Sequence, residues 1–142
     1  MKNVIIQNQS SGNLIVEHRQ LFNGILEQLR PIDFETKTAL AGDEKLKKQH
    51  FIIETIEEVL SKSIELNWSI GVKNGHIYVF NGAYWKSLNI SELEKFLGES
   101  AEKLGVDKYD AKYSAFRVKL IKQLTSSAYL LKSPPNSDEV LI

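Results

Sequence analysis

Two Asn-Gly pairs near the middle of the chain, Asn74-Gly75 and Asn81-Gly82, constrain its fold more than any other feature. Each pair lies between short runs of β-branched and aromatic residues. Asn and Gly tolerate the positive φ angles that a type I′ turn requires, so each pair is a strong signal for a tight hairpin. Two hairpins in succession predict a three-stranded antiparallel meander over about residues 68–88.

The N-terminal half of the chain has apolar residues at helical spacing. One pattern covers Asn13 to Arg30 and ends at Pro31, although Leu14-Ile15-Val16 could instead begin as a strand. A second pattern follows Asp43, which we expect to be the N-cap of a long helix. The apolar stripe of that helix consists of Leu46, Ile53, Ile56, Leu60 and Ile64.

Two more helices are predicted after the meander. Ser91 and Glu94 have capping-box spacing at the start of a helix that Gly105 ends. Asp107 is expected to cap a last helix that runs to about Ser126. One apolar side of that helix carries Tyr109, Tyr113, Phe116, Leu120 and Leu124.

The length of 142 residues fits one domain with its own core. We expect a mostly helical α+β fold over residues 1–132, with a helical N-terminal half, the small three-stranded antiparallel meander in the middle of the chain and two C-terminal helices. Residues 133–142 begin with Ser133-Pro134-Pro135-Asn136-Ser137-Asp138, which has the composition of a linker and predicts a tail.

The apolar run at the N-terminus, Val4 to Ile6, is too short for a signal peptide, and no segment approaches the length of a membrane span. The chain has no cysteine, which excludes disulfides, thiolate metal sites and a cysteine nucleophile. We therefore expect a soluble protein of the cytoplasm that has no membrane partner.

Motifs for catalysis are absent from the sequence. His18, His50 and His76 do not have the spacing of a helical metal site. There is neither a glycine-rich phosphate loop with Lys and Ser or Thr at fixed offsets nor a Gly-x-Ser-x-Gly elbow. We expect no enzymatic activity, no metal and no cofactor for this chain alone.

The charge of the last predicted helix is uneven. The segment from Asp107 to Lys132 has six basic and two acidic residues, so its net charge is +4 in a chain of formal net charge +0. Four of its lysines fall within roughly 80° on an ideal helix and would suit a phosphate backbone: Lys108, Lys112, Lys119 and Lys122. The alternative is the ordinary polar face of an amphipathic helix. Arg117 projects near the apolar side, where a structural role is expected.

The meander also contains aromatic and cationic residues of the kind that contact single-stranded bases. Tyr84 and Lys86 are the candidates for such contacts, weaker than the four lysines. Packing is the alternative for aromatic residues in a small sheet, and we expect Trp68 and Trp85 to be core residues.

The hairpin residues Tyr78, Phe80, Asn81, Gly82 and Trp85, followed by a capped helix with Leu93, Phe96 and Leu97, resemble a known family. This is the poxvirus-type N-terminal region that precedes the superfamily 3 helicase in phage and plasmid primase-helicases. The resemblance covers about the second half of the chain. It implies an accessory domain in the DNA replication of a mobile element, with primase and helicase modules as partners. The Walker loops of that family do not occur in this chain, so no catalytic activity is carried over.

We therefore expect a non-catalytic accessory domain of a phage or plasmid replication primase-helicase, either excised or stand-alone. It would contact single-stranded or forked DNA, or couple the primase and helicase modules. The alternative is a protein-protein interaction or oligomerisation module without nucleic-acid contact, which the neutral total charge favours and in which the partner can be a second copy of the chain.

Overall fold

The computed structural model describes residues 9–38, 44–80 and 85–131, with side chains from residue 19 to residue 128 within these ranges. The described chain contains six helices and three strands. In chain order these are α1 (Gln9–Gln28), α2 (Phe34–Thr38), α3 (Lys48–Glu65), β1 (Ser69–Lys73), β2 (His76–Phe80), β3 (Trp85–Ser87), α4 (Ile90–Leu104), α5 (Lys108–Lys112) and α6 (Ser114–Leu131).

The three strands form an antiparallel sheet in the order β1-β2-β3. Lys73 pairs with His76 across the first turn, where φ is 53° at Asn74 and 78° at Gly75. Both angles are left-handed, as a type I′ turn requires. The predicted meander and the mostly helical α+β class are confirmed, while the second predicted turn, Asn81-Gly82, lies outside the described residues.

The hydrophobic core lies between α1, α3, α4, α6 and the sheet, with β1 as the strand that packs against α3 and α6. Phe22 of α1 stacks on Phe96 of α4, with ring centroids 4.3 Å apart. Trp85 is buried and Trp68 is partly buried against the core, as expected. The helix predicted over Asn13 to Arg30 is confirmed as α1, which starts earlier, so the strand alternative for its beginning is wrong.

Two of the predicted helix caps are wrong. The N-cap of α3 is Lys47, and the predicted cap Asp43 lies outside the described residues. The α4 cap is Asn89, whose side-chain oxygen accepts from the Glu92 N–H at 3.0 Å. Asn89 takes this role because its backbone is extended where the helix begins, whereas Ser91 is already within α4.

Gly105 ends α4 with a φ of 116°, which confirms the predicted glycine at the end of this helix. The Gly105 N–H donates to the carbonyls of both Ala101 and Glu102 in the last turn. The chain then continues through Val106 and Asp107 to the next helix, α5. The predicted tail, residues 133–142, lies outside the described residues.

Candidate nucleic-acid interface

The segment after Asp107 is a short helix followed by a break. The Asp107 carboxylate accepts hydrogen bonds from the N–H groups of Tyr109 at 2.9 Å and Asp110 at 3.4 Å, which caps α5. The helix ends at Tyr113, whose φ of −68° and ψ of 129° are extended. The single helix predicted from Asp107 to Ser126 is therefore wrong, because the chain forms α5 and α6 in its place.

This break separates two tyrosines from the apolar side that the sequence pattern assigned to them. Phe116, Leu120 and Leu124 on α6 are buried as predicted. Tyr109 and Tyr113 are instead 74% and 58% exposed. Their predicted place on that apolar side is wrong, because the extended backbone at Tyr113 takes α5 out of helical phase with α6.

Arg117, on α6, stabilises the break between α5 and α6 through two hydrogen bonds. Its Nε donates to the carbonyl oxygen of Ala111 at 2.9 Å, and its backbone N–H donates to the carbonyl of Tyr113 at 3.1 Å. The guanidinium group is partly buried over Gly98 of α4, where a Cβ would overlap it. The structural role predicted for Arg117 is confirmed, and its partner is the backbone carbonyl of Ala111 near the end of α5.

The four predicted phosphate contacts on α5 and α6 are exposed, and they are Lys108, Lys112, Lys119 and Lys122. Within the described residues, none of these four ammonium groups lies at ion-pair distance from a carboxylate. Lysines on other helices do pair. Lys37 is 2.9 Å from Glu58 and Lys62 is 3.5 Å from Glu65. The charge of the four lysines on α5 and α6 is thus open to solvent.

The break divides these lysines into two pairs. Lys108 and Lys112 are four residues apart on α5 and so share one side of it. Lys119 and Lys122 lie on α6, where they line a shallow hollow of about 270 Å³ together with α3 side chains. The α3 residues of the hollow are Gln49, Ile52 and Ile53. The single stripe predicted from ideal helical angles is therefore replaced by two groups on consecutive helices.

Lys48, at the start of α3, lies beside the break and connects the two groups. Its Nζ is 3.7 Å from the Asp110 carboxylate and 6.0 Å from the centre of the Tyr113 ring. Lys48 also directly precedes Gln49, which lines the hollow. On α5, Nζ of Lys108 is 5.4 Å from the centre of the Tyr109 ring. Together these residues form what we call the lysine-tyrosine surface: Lys48, Lys108, Tyr109, Lys112, Tyr113, Lys119 and Lys122.

Sequence reasoning missed three members of this surface. Lys48 comes from a distant part of the chain, so only the packing of α3 against α6 brings it to the break. The two tyrosines were missed because no Pro or Gly marks a break at Tyr113. The spacing of Tyr109 and Tyr113, four residues apart beside lysines, is nevertheless visible in the sequence.

Lys86, the weaker candidate from the meander that the structure describes, does not join this surface in the fold. Lys86 is partly buried on β3, where it pairs with Val79 of β2. That strand is separated by β2 from β1, the strand that packs against α6. Tyr84 lies outside the described residues.

The histidines take part in local contacts. Nδ1 of His50 accepts a hydrogen bond from the Lys47 N–H at 2.8 Å at the start of α3. His76 is exposed and lies edge-on to Tyr78, with ring centroids 6.5 Å apart. In the parts of the chain that the structure describes, no group of three or more His, Cys, Asp or Glu side chains is arranged to hold a metal ion.

A second hollow of about 290 Å³ lies between α1 and α4. Phe22 and Phe96 line it, and its charged residues are of both signs: Arg19, Glu92, Lys95 and Glu99. Mixed charge does not suit a polyanion, so the lysine-tyrosine surface is the better candidate for a nucleic-acid site.

Comparisons with known proteins do not add to this geometry. Searches of protein-family models, of curated proteins and of solved structures found no match to the chain. None of the helices in residues 9–38, 44–80 and 85–131 has the length and apolar character needed to cross a bilayer.

Proposed function

We propose that this chain is a non-catalytic domain that binds the phosphate backbone of DNA, single-stranded or forked, through the lysine-tyrosine surface. The observation that carries the proposal is the set of four exposed lysines on α5 and α6 that have no carboxylate partner within the described residues. Each phosphate that such a lysine neutralises releases a condensed counterion, which favours binding at low salt.

The distribution of charge supports the proposal more than its total does. The chain has a formal net charge of +0, so it has no general attraction for polyanions. Acidic residues are concentrated elsewhere, as on α3, where Glu54, Glu57 and Glu58 follow one another within little more than one turn. DNA would therefore be attracted to one side of the molecule and repelled from another, which gives the complex an orientation.

The resemblance to the region that precedes the helicase in phage and plasmid primase-helicases supplies the wider proposal. In that setting the domain would hold DNA between the primase and helicase modules, or couple those modules. Of the residues that carry the resemblance, Phe80 and Trp85 have ring centroids 5.1 Å apart, and Trp85 is buried. This suits a hairpin that stabilises the domain, with the DNA contacts made by the helices.

The test is fluorescence-anisotropy titration of labelled single-stranded and forked DNA at a series of salt concentrations. The intact chain is compared with a variant in which four lysines are changed to alanine: Lys108, Lys112, Lys119 and Lys122. A matched control loses the same charge from other exposed or partly exposed positions, namely Lys37, Lys62, Lys95 and Lys103. If four phosphates are neutralised, the logarithm of affinity should fall with the logarithm of salt with a slope of about −3 on single strands.

We expect the first variant to lose both affinity and most of the salt slope, and the control to keep the slope. Equal losses in the two variants would mean that net charge, and not this surface, attracts DNA. If the intact chain binds neither single-stranded nor forked DNA at low salt, the proposal is contradicted. The chain would then be better explained as a protein-protein interaction or oligomerisation module, for which the molar mass by light scattering over a range of concentrations is the measurement.

A further inference from the structure

Tyr109 and Tyr113 are large aromatic side chains that the fold leaves in solvent. They are 74% and 58% exposed, although Ala111 and Phe116 of the same region are buried. Within the described residues, neither tyrosine hydroxyl has a hydrogen-bond partner. The rings are therefore not needed to fill the core or to satisfy a buried polar group, and more than half of each residue is accessible to a ligand.

The two rings belong to one turn of the chain. Residues four apart on a helix lie on the same side, with Cβ atoms about 5–6 Å apart, and Tyr113 directly follows the last residue of α5. A lysine ammonium lies over each ring, Lys108 at 5.4 Å from the Tyr109 centroid and Lys48 at 6.0 Å from the Tyr113 centroid. Each exposed ring thus has a cation beside the area that a base would contact.

We infer that Tyr109 and Tyr113 stack on bases of single-stranded nucleic acid while the neighbouring lysines contact its phosphates. This inference rests on the proposed function and specifies the class of ligand. Every base has a π-face, so such stacking tolerates any sequence, whereas the backbone contacts supply the salt dependence. The exposed rings lie beside Lys108 and Lys112, which have no carboxylate partner within the described residues, and this combination matches both parts of a single strand.

A single strand fits this arrangement better than a duplex. In a duplex the base faces are covered by their neighbours in the stack, so only phosphates and groove edges are accessible to the protein. A surface that bound duplex DNA would need the lysines but would gain nothing from Tyr109 and Tyr113. An acidic protein segment would likewise meet the lysines and have no bases to offer to the rings.

The experiment compares two labelled strands that differ only in their bases. One is an oligothymidylate of about 16 nucleotides and the other an abasic strand of equal length and phosphate number. Both are titrated with the intact chain, with Tyr109→Ala/Tyr113→Ala and with Tyr109→Phe/Tyr113→Phe. The variants change exposed residues, and circular dichroism verifies that they fold.

We expect the intact chain to bind oligothymidylate more tightly than the abasic strand, by about ten-fold for each stacked base. The alanine variant should bind both strands with the affinity that the intact chain has for the abasic one. The phenylalanine variant should keep the preference for bases, because it keeps the rings.

Other outcomes separate the inference from the proposed function. If the intact chain binds both strands equally, or if the alanine variant loses affinity equally for both, the stacking inference is overturned while phosphate binding by the lysines stands. Binding that does not depend on the bases, in either form, would also be expected of a surface that contacts acidic proteins. If the intact chain binds neither strand at low salt, the proposed function and the inference both fail.

Discussion

The guanidinium group of Arg117 on α6 occupies the space above Gly98 on α4 where any other residue would place its Cβ. A Cβ at Gly98 would lie 2.7 Å from Cζ of Arg117, which is closer than such atoms approach in folded proteins. From this position Nε of Arg117 reaches the carbonyl of Ala111 at 2.9 Å. The absence of a side chain on α4 thus allows a side chain of α6 to hold the end of α5.

The first prediction concerns this pair. Gly98→Ala should gain about 1 kcal/mol of helix propensity but displace Arg117 from the Ala111 carbonyl, which costs about 1.5–3 kcal/mol for a hydrogen bond to a charged group. We expect a net loss of about 1 kcal/mol in the free energy of unfolding, measured with urea.

A double-mutant cycle provides the control for that prediction. In an Arg117→Ala background the guanidinium no longer opposes the new methyl group, so Gly98→Ala should stabilise the protein by about 1 kcal/mol. An effect of Gly98→Ala that has the same sign and size in both backgrounds would mean that the two residues do not compete for this space.

The second prediction concerns the carboxylate of the lysine-tyrosine surface. Asp110 lies 3.7 Å from Lys48, and both side chains are largely solvated, so the pair contributes about 0–1 kcal/mol to stability. Asp110→Asn removes a negative charge beside the proposed phosphate path and releases Lys48. We expect affinity for single-stranded DNA to rise about two- to five-fold at low salt, with unfolding nearly unchanged.

The matched control for Asp110→Asn is Glu65→Gln, which frees Lys62 at the other end of α3. This change should leave DNA affinity unaltered. A similar rise in affinity in both variants would indicate a general effect of net charge.

The third prediction distinguishes the observed cap of α4 from the one that the sequence suggests. Asn89→Ala removes the acceptor of the Glu92 N–H and should cost about 1 kcal/mol of unfolding free energy. Ser91→Ala changes an exposed position within the first turn and should alter stability by less than about 0.5 kcal/mol. Urea denaturation of the two variants provides the comparison, and a larger loss for Ser91→Ala would place the cap there.

The fourth prediction is a pH dependence. Partial burial raises the pKa of the Glu54 carboxyl, and the Glu57 and Glu58 carboxylates add to the rise, while Lys37 and His50 oppose it. Because the pKa is higher in the folded state, the folded protein binds this proton more tightly than the unfolded chain does. Ionised Glu54 therefore weakens the fold above its folded-state pKa, and this penalty disappears as pH falls below the ordinary value of 4.5.

Glu54→Gln should accordingly stabilise the protein at neutral pH by about 0.3–0.5 kcal/mol, the size of a like-charge contact on a helix. The gain should vanish below pH 4.5. Thermal unfolding over a pH series measures this, with the exposed Glu102→Gln as a variant expected to have no effect. A gain that persists at low pH would attribute the change to packing and not to ionisation.

The fold was predictable where short-range chemistry decides it. Asn74-Gly75 forms the expected turn because its left-handed backbone is a property of those two residues. Gly105 ends α4 for the same reason. The α4 cap was missed because both Asn89 and Ser91 have suitable side chains, and only the backbone conformation decides between them.

The candidate site was predictable only in part. The four lysines were identified from charge alone, but their arrangement depends on the break at Tyr113. That break is stabilised by Arg117, which acts across six residues on Ala111 and needs Gly98 of another helix. Such a tertiary contact leaves no periodic signal, and Lys48 joins the surface for a similar reason.

Two helices begin at the lysine-tyrosine surface, since Lys48 is the first residue of α3 and Tyr113 directly precedes α6. Neither helix has an acidic residue in its first turn. The positive ends of two macrodipoles, each equivalent to about half an elementary charge, therefore add to the lysines instead of balancing them. A bound polyanion should therefore raise the unfolding temperature, and thermal unfolding with and without oligothymidylate measures that coupling.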